Sequence, residues 1–276
     1  MTTIHVAHSP DSDDAFMFYA LASGKIDTEG LTYVHQLQDI ETLNHRAMRG
    51  ELEVTAVSIH AYAYLSDKYA LLPHGASMGD RYGPRLVAKS PMTKADLRGK
   101  RIAIPGTLTS AYLAMRIFEP DFEPVVTPFD QIEDVVIQGK ADVGLLIHEG
   151  QLTYADNGLH LIQDLGEWWY GETGLPLPLG GNVVRKDLGE DLTRKISRHL
   201  HDSIAYGLDH RKAALDHSMQ YARGLEREKA DTFVGMYVNE WTLDYGPRGR
   251  KAVREFLQRG VDTGFITKPV NVEFVD

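Results

Sequence analysis

The chain has 276 residues, of which 43 % are hydrophobic and 25 % charged; these values are typical of globular proteins and exclude a disordered or fibrous class. Its formal net charge of -10 argues against a general affinity for nucleic acid or anionic membranes, which select basic surfaces. There is no cysteine, which excludes disulfides, thiolate metal sites and cysteine nucleophiles together.

Strands and helices are predicted to alternate over the first 150 residues. A strand at 3–8 is followed by an apolar helix that ends at Gly24, a residue type suited to a helix terminus. Further strands are expected at 32–39, 84–90, 101–106, 122–129 and 141–150, helices at 39–51, 107–118 and 130–140, and a strand continuing as a helix at 53–65. Helices follow from about 190 to 260, and the closing TKPVNVEFVD is expected to be a peripheral tail.

Two segments of the chain have the same pattern of residue types in the same order. Residues 50–72 and 139–162 each contain a Gly, an acid three positions later, a Val, an apolar run and a His. Together with the alternating elements, this echo predicts two α/β lobes with a cleft between them, and such clefts are preferred ligand sites.

Neither a membrane span nor an export signal is visible. No apolar run approaches the roughly 20 residues that cross a bilayer. The opening MTTIHVAHSP lacks a basic segment followed by an apolar core. We therefore expect a cytoplasmic protein.

Three aspartates, Asp11, Asp13 and Asp14, stand at the start of the first predicted helix. A calcium loop counted from Asp11 would require Gly at its sixth position and Glu at its twelfth, where the chain has Phe16 and Ala22. Two interpretations remain. Asp13 or Asp14 caps the helix, or an aspartate contacts a ligand at the strand-to-helix turn.

A second candidate site is PGTLTSAYLA at 105–114. A Gly turn is followed by hydroxyl residues at a helix start, where free N–H groups and the helix dipole bind carboxylates or phosphates. The alternative is that Thr107 or Thr109 only caps the helix.

His148 is the candidate general base. It ends an apolar strand beside Glu149, and His60 stands at nearly the matching place in the first lobe. No metal-ligand spacing includes either histidine, so no metal is expected. The aromatic EWWY at 167–170, with the Pro-rich segment after it, either packs at the lobe junction or forms a stacking wall for a flat ligand.

Several stretches together resemble the 1,4-dihydroxy-6-naphthoate synthase family of the futalosine route of menaquinone biosynthesis. They are HSPDSDDAFMFYAL, DIETLNHRAMRGELEVTAVSIHAYAYL, IPGTLTSAYLA, LLIHEGQLTYADNGL and DLGEWWYGETGLPLPLGG, and the resemblance covers roughly residues 4 to 250. It implies a fold like that of the type II periplasmic binding proteins. The larger lobe would comprise 1–89 with 181–276, and the smaller lobe 90–180.

The resemblance also implies a function. It is a cofactor-free carbon–carbon lyase step that converts cyclic dehypoxanthine futalosine, a small-molecule carboxylate, to the dihydroxynaphthoate. A related chorismate dehydratase and a non-catalytic solute-binding protein of the same fold are the alternatives. Carried over by position, His148 is the base, and the residues expected at substrate are Asp14, Asn44, Ala56, Val57, Ser58, Thr109 and Ser110.

The first turn departs from the family pattern. The family usually reads serine, proline, cysteine, proline, asparagine, aspartate, threonine, phenylalanine, and this chain reads SPDSDDAF. Asp11 and Asp13 are therefore additional acids, which would weaken binding of a carboxylate unless they point outward or meet a cation.

Overall fold

The computed structural model describes residues 2–275, which form two lobes, each built on its own β-sheet. The chain begins in the first lobe. Its elements there are β1 (Thr2–His8), α1 (Ser12–Met17), α2 (Tyr19–Ala22), β2 (Leu31–Leu37), α3 (Ile40–Arg49), β3 (Val54–Ser58), α4 (Ile59–Tyr62), β4 (Tyr69–Leu71) and β5 (Ser77–Gly79).

The chain then builds the second lobe and returns. The second lobe contains β6 (Arg85–Ala88), β7 (Arg101–Ile104), α5 (Ser110–Phe118), β8 (Glu123–Val126), α6 (Ile132–Ile137), β9 (Val143–Leu146), α7 (Gly150–Thr153), β10 (His160–Asp164) and α8 (Leu165–Thr173). Strand β11 (Leu177–Arg185) rejoins the first sheet. The C-terminal helices are α9 (Glu190–Asp209), α10 (Arg211–Ser218), α11 (Arg227–Tyr237), α12 (Glu240–Leu243) and α13 (Gly246–Asp262), and single 3₁₀ turns lie at Lys94–Leu97, Phe129–Gln131, Lys186–Leu188 and Met219–Tyr221.

The two sheets have equivalent strand orders. The first runs β2-β1-β3-β11-β4, with β5 also paired to β11, and the second runs β8-β7-β9-β6-β10. In each sheet the central strand, β3 or β9, has one parallel and one antiparallel neighbour. The echo between 50–72 and 139–162 therefore marks the central strand of each sheet and the short helix after it.

This equivalence also relates the two candidate turns. The aspartate-rich turn follows β1, the hydroxyl-rich turn follows β7, and each leads into a helix. The predicted lobe boundaries at residues 90 and 180 stay a prediction. The strands nearest to them are β6, which pairs within the second sheet, and β11, which pairs within the first.

Local signals explain several element ends. The side chain of Asp39 accepts the N–H of Thr42 at the start of α3, and Gly50 ends that helix in the left-handed region at φ 71°. Thr109 caps α5 in the same way, accepting the N–H of Tyr112.

The first helix does not follow the capping prediction. Asp11, at the N-cap position of α1, makes no side-chain cap, and Asp13 and Asp14 lie within the first turn, so the expected cap by either was wrong. Their charges still lie at the positive end of a helix. The predicted helix to Gly24 is also interrupted, because Phe18 separates α1 from α2.

The aromatic segment is part of the core. Trp169, on α8, is fully buried and donates from Nε1 to the Pro176 carbonyl at 3.1 Å, while the ring of Trp168 packs at 5.0 Å from Phe118. Packing is therefore the role of this segment. The predicted peripheral tail is attached more firmly than expected, because buried Phe274 bridges to Leu71 at the edge of the first sheet.

Among residues 2–275 we find no helix whose length and hydropathy would allow it to cross a bilayer.

Candidate functional site

A pocket with an empty volume of about 750 Å³ lies where the two lobes meet. Seven of the eight predicted site residues line it: Asp14, Ala56, Val57, Ser58, Thr109, Ser110 and His148. The first four come from the turn after β1 and from strand β3, and the other three follow β7 and β9. The strand ends of both sheets therefore converge on one cavity, as ligand sites of α/β folds do.

His148, which follows β9, pairs with the aspartate-rich turn that follows β1. Its Nδ1 is 3.0 Å from Oδ2 of Asp11, while its Nε2 is buried and has no hydrogen-bond partner among the described residues. The backbone of His148 has φ 61°, a conformation that is strained for a residue with a side chain. The ring packs edge-on against Phe129, 4.5 Å between centroids.

Asp11 is held between two cations. Besides His148, the Arg223 guanidinium reaches Asp11 Oδ1 at 2.5 Å and Glu149 Oε2 at 3.3 Å. Arg223 also lies over the ring of Phe129 at 4.5 Å. The carboxylate of Asp11 accepts a further hydrogen bond from the Ser9 hydroxyl. An added acid at this position is therefore neutralised by its neighbours.

The pair has strongly shifted acidities. Burial opposes ionisation of Asp11, yet His148 and Arg223 hold the pKa of its carboxyl well below the usual range. Burial by itself would lower the pKa of His148, but Asp11, helped by Glu149 and Asp13, outweighs it and raises this pKa to about 9. At neutral pH the imidazole is mainly protonated.

The other two aspartates carry less charge than the sequence suggests. Desolvation, then the neighbouring Asp14 and Asp11, raises the pKa of Asp13 well above its usual range. Desolvation and Asp11 raise the pKa of Asp14 to about 7, although its Oδ2 accepts the N–H of Ser9 at 2.7 Å. The turn therefore presents far less than three negative charges to a ligand at neutral pH.

The start of α5 forms the opposite wall. The Thr109 hydroxyl accepts from Tyr112 N at 3.2 Å and donates to the Gly106 carbonyl, and the Ser110 hydroxyl donates to the Leu179 carbonyl at 2.6 Å. Both hydroxyls are thus engaged in hydrogen bonds within the protein. The first-turn amides of Ser110 and Ala111 have no partners within the helix, and both residues line the pocket. The backbone, more than the hydroxyls, is therefore available for an anion.

Asn44 contributes from behind the pocket wall. It is fully buried and absent from the lining, but its Oδ1 accepts the N–H of Ser58 at 2.9 Å and its Nδ2 donates to the Ser58 hydroxyl at 3.1 Å. These two bonds fix the end of β3, where Ala56, Val57 and Ser58 face the cavity. Asn44 supports the wall and does not itself form it.

The two matching histidines have different surroundings. His60 follows β3 as His148 follows β9, but it does not line the pocket and its Nδ1 lies 3.3 Å from the Thr109 carbonyl. Burial lowers the pKa of His60 to about 4. His60 therefore packs as a neutral ring, and His148 is the histidine of the site.

Several pocket residues were missed by sequence reasoning. Gly180 and Gly181 of β11 line the cavity without side chains, and Tyr237 of α11 reaches it from the C-terminal helices, bonding Gln151 at 2.7 Å. The GG pair in TGLPLPLGG was a visible signal for the first two. No local pattern marks Tyr237 or Arg223, because folding alone brings them to the site.

Within residues 2–275, no group of three or more histidine and carboxylate side chains is arranged to hold a metal ion.

Known proteins resemble the chain over nearly its whole length. A family model described as menaquinone biosynthesis matches residues 4–262. A 1,4-dihydroxy-6-naphtoate synthase of Thermus thermophilus is 40 % identical over 253 residues, covering 92 % of each chain. The enzyme of the same name from Streptomyces coelicolor is 37 % identical over 270 residues, covering 96 % of this chain and 95 % of its own.

Solved structures extend the comparison to the fold. The crystal structure of a protein from Archaeoglobus fulgidus is 48 % identical, with a TM-score of 0.92 and coverage of 95 % of this chain and 98 % of that one. The periplasmic aliphatic sulphonate binding protein of Escherichia coli has a TM-score of 0.66 at 12 % identity, covering 99 % of this chain and 91 % of its own. The predicted periplasmic-binding-protein fold is thus confirmed, and the chain belongs to the 1,4-dihydroxy-6-naphthoate synthase family of menaquinone biosynthesis.

Proposed function

We propose that this chain is a carbon–carbon lyase that converts cyclic dehypoxanthine futalosine to 1,4-dihydroxy-6-naphthoate and a three-carbon fragment without a cofactor. The observation that carries the proposal is His148, whose unpartnered Nε2 belongs to the interlobe pocket. The names of the two bacterial relatives support the product.

The start of α5 suits the substrate carboxylate. The amides of Ser110 and Ala111, which lie in the first helical turn and have no partner within the helix, favour an anion together with the helix dipole. Ile147 and Leu179, which also line the cavity, offer apolar contact to a fused ring system. Gly180 presents no side chain at its part of the first-sheet wall, which suits a flat ring.

His148 supplies the proton transfer. Its neutral form would take at Nε2 a proton made acidic by a neighbouring ketone, while Nδ1–H remains bonded to Asp11. The electrons released would break the carbon–carbon bond as the ring system gains aromaticity, and the departing three-carbon fragment would take the electron pair and receive the proton back from His148 Nε2. No net oxidation is required, so the step needs no redox cofactor.

The direct test is turnover by dialysed protein. We expect purified enzyme, treated with a chelator and given cyclic dehypoxanthine futalosine, to release the dihydroxynaphthoate, measured by its absorbance and mass. His148→Asn should reduce kcat by at least about 100-fold, since general base catalysis supplies roughly 10²–10⁴, while product binding by calorimetry persists. A folded wild-type sample without turnover would contradict the proposal.

The same samples separate the alternatives. A chorismate dehydratase would instead consume chorismate, which is offered in parallel. A solute-binding protein would bind one of these compounds without converting it. Either outcome would replace the lyase assignment.

A further inference from the structure

The partner of the proposed base comes from the opposite lobe. His148 follows β9 of the second sheet, whereas Asp11 follows β1 of the first, and their 3.0 Å contact spans the cleft. Asp11 is buried, and its carboxylate is the group of the aspartate-rich turn that contacts the imidazole. Its position beside Nδ1 gives it a defined partner.

A second link crosses the cleft at the same point. Arg223 lies in the C-terminal segment before α11, which packs against α1 of the first lobe. Arg223 joins Asp11 to Glu149 and covers the ring of Phe129. Glu149 and Phe129 belong to the second lobe, whereas Asp11 belongs to the first. Arg223 and His148 are two of the four non-glycine residues with positive φ between 2 and 275. Both cations that hold Asp11 therefore have a strained backbone.

We infer that Asp11 is a positioning residue that completes the base across the cleft: it accepts Nδ1–H of His148 when the lobes are closed and leaves Nε2 to the substrate. This inference rests on the proposed function for its kinetic consequence. Its structural part, the interlobe pairing, stands independently of any substrate.

The charges around His148 give the expected direction of change. Asp11, Asp13 and Glu149 face it as acids, Asp14 lies in the same turn, and Arg223 is the facing cation. Asp11→Asn removes the nearest negative charge but keeps the side-chain volume. Burial then dominates, and the pKa of His148 falls. Arg223→Gln removes a positive charge, which does not lower this pKa.

A titration of the His148 imidazole followed by ¹⁵N NMR, without substrate, tests the pairing. The wild-type resonance should titrate near pH 9, and Asp11→Asn should shift its midpoint down by about two pH units or more. Asp156→Asn is the matched control, because Asp156 and Lys229 also form an interlobe ion pair, 2.7 Å long but exposed and outside the pocket. That variant should titrate as wild type.

Kinetics distinguish positioning from mere support of the fold. In Asp11→Asn the imidazole of His148 is a weaker base, which lowers the plateau rate at high pH. The rate at pH 7 falls less, because a larger fraction of the variant's imidazole is neutral at that pH than in the wild type. We expect Asp11→Asn to reduce plateau kcat by about tenfold or more, with the kinetic pKa falling in parallel. An unchanged His148 titration in a folded Asp11→Asn variant would overturn the inference. A shifted titration with no wild-type turnover would instead overturn only the proposed lyase function.

Discussion

Asp11 and His148 are joined by a 3.0 Å contact between Oδ2 and Nδ1, although one follows a strand of the first sheet and the other a strand of the second. Asp11 departs from the expected family pattern, and this contact makes it the partner of the proposed base. The pKa values of Asp11 and His148 therefore depend on how the two lobes are arranged.

The first prediction concerns pH. Because the pKa of His148 is raised to about 9, the neutral imidazole is about one part in a hundred at pH 7. A base must be deprotonated, so kcat/KM should rise about tenfold per pH unit between 7 and 8.5 and level off above 9. Steady-state rates across this range, with stability checked at each pH, provide the measurement. A flat profile would exclude a single titrating His148 base.

The second prediction separates the two roles of Thr109. Thr109→Ala removes the cap of α5 and should lower the free energy of unfolding by roughly 0.5–2 kcal/mol. It should also raise KM several-fold, because the amides of Ser110 and Ala111 are no longer held in place. Thr109→Ser keeps the hydroxyl and should restore both values. Urea unfolding and steady-state kinetics measure them; an unchanged KM in the alanine variant would argue against anion binding here.

The third prediction concerns the support behind the pocket wall. Asn44→Ala leaves the buried N–H and hydroxyl of Ser58 without their partner. We expect a loss of about 1–3 kcal/mol in the free energy of unfolding, the usual cost of an unsatisfied buried group. Chemical denaturation measures it. A variant as stable as wild type would mean that water or a rearranged side chain replaces both bonds.

The fourth prediction concerns closure. Glu41 of α3 accepts the N–H of Leu108 at 3.2 and 3.3 Å from its two oxygens, which joins the first lobe to the turn after β7. Hydrogen bonds to charged groups contribute about 1.5–3 kcal/mol, so Glu41→Ala should raise KM by roughly tenfold and favour a more open average shape. Kinetics and small-angle X-ray scattering measure these effects.

A matched change approaches the same contact from the other side. Gly106 has φ 156°, and a Cβ there would lie 2.3 Å from Cδ of Glu41. Gly106→Ala should therefore displace the Glu41 carboxylate and reproduce the higher KM. Normal KM in both variants would show that this contact does not hold the lobes together.

Much of the fold was readable from the sequence, because local hydrogen bonds and periodicity act over a few residues. The helix predicted at 39–51 is α3, which Asp39 and Gly50 bound, and the echo of 50–72 in 139–162 marks equivalent central strands. Short strands with weak patterns were missed, β4 and β5 among them, because sheet neighbours decide whether such segments pair. Helix α8 was missed because EWWY was interpreted from its aromatic rings alone, as packing at the lobe junction or as a stacking wall, and was not assigned to a helix or strand.

The sequence by itself determined the family, the two-lobe plan and the placement of His148 at a strand end. Only the tertiary structure decided the electrostatics of the site. Whether Asp11 repels a ligand or orients a base depends on Arg223 from the far end of the chain and on burial. Coulomb interactions and desolvation depend on distances in space. Those distances exist only once both lobes and the C-terminal helices have come together.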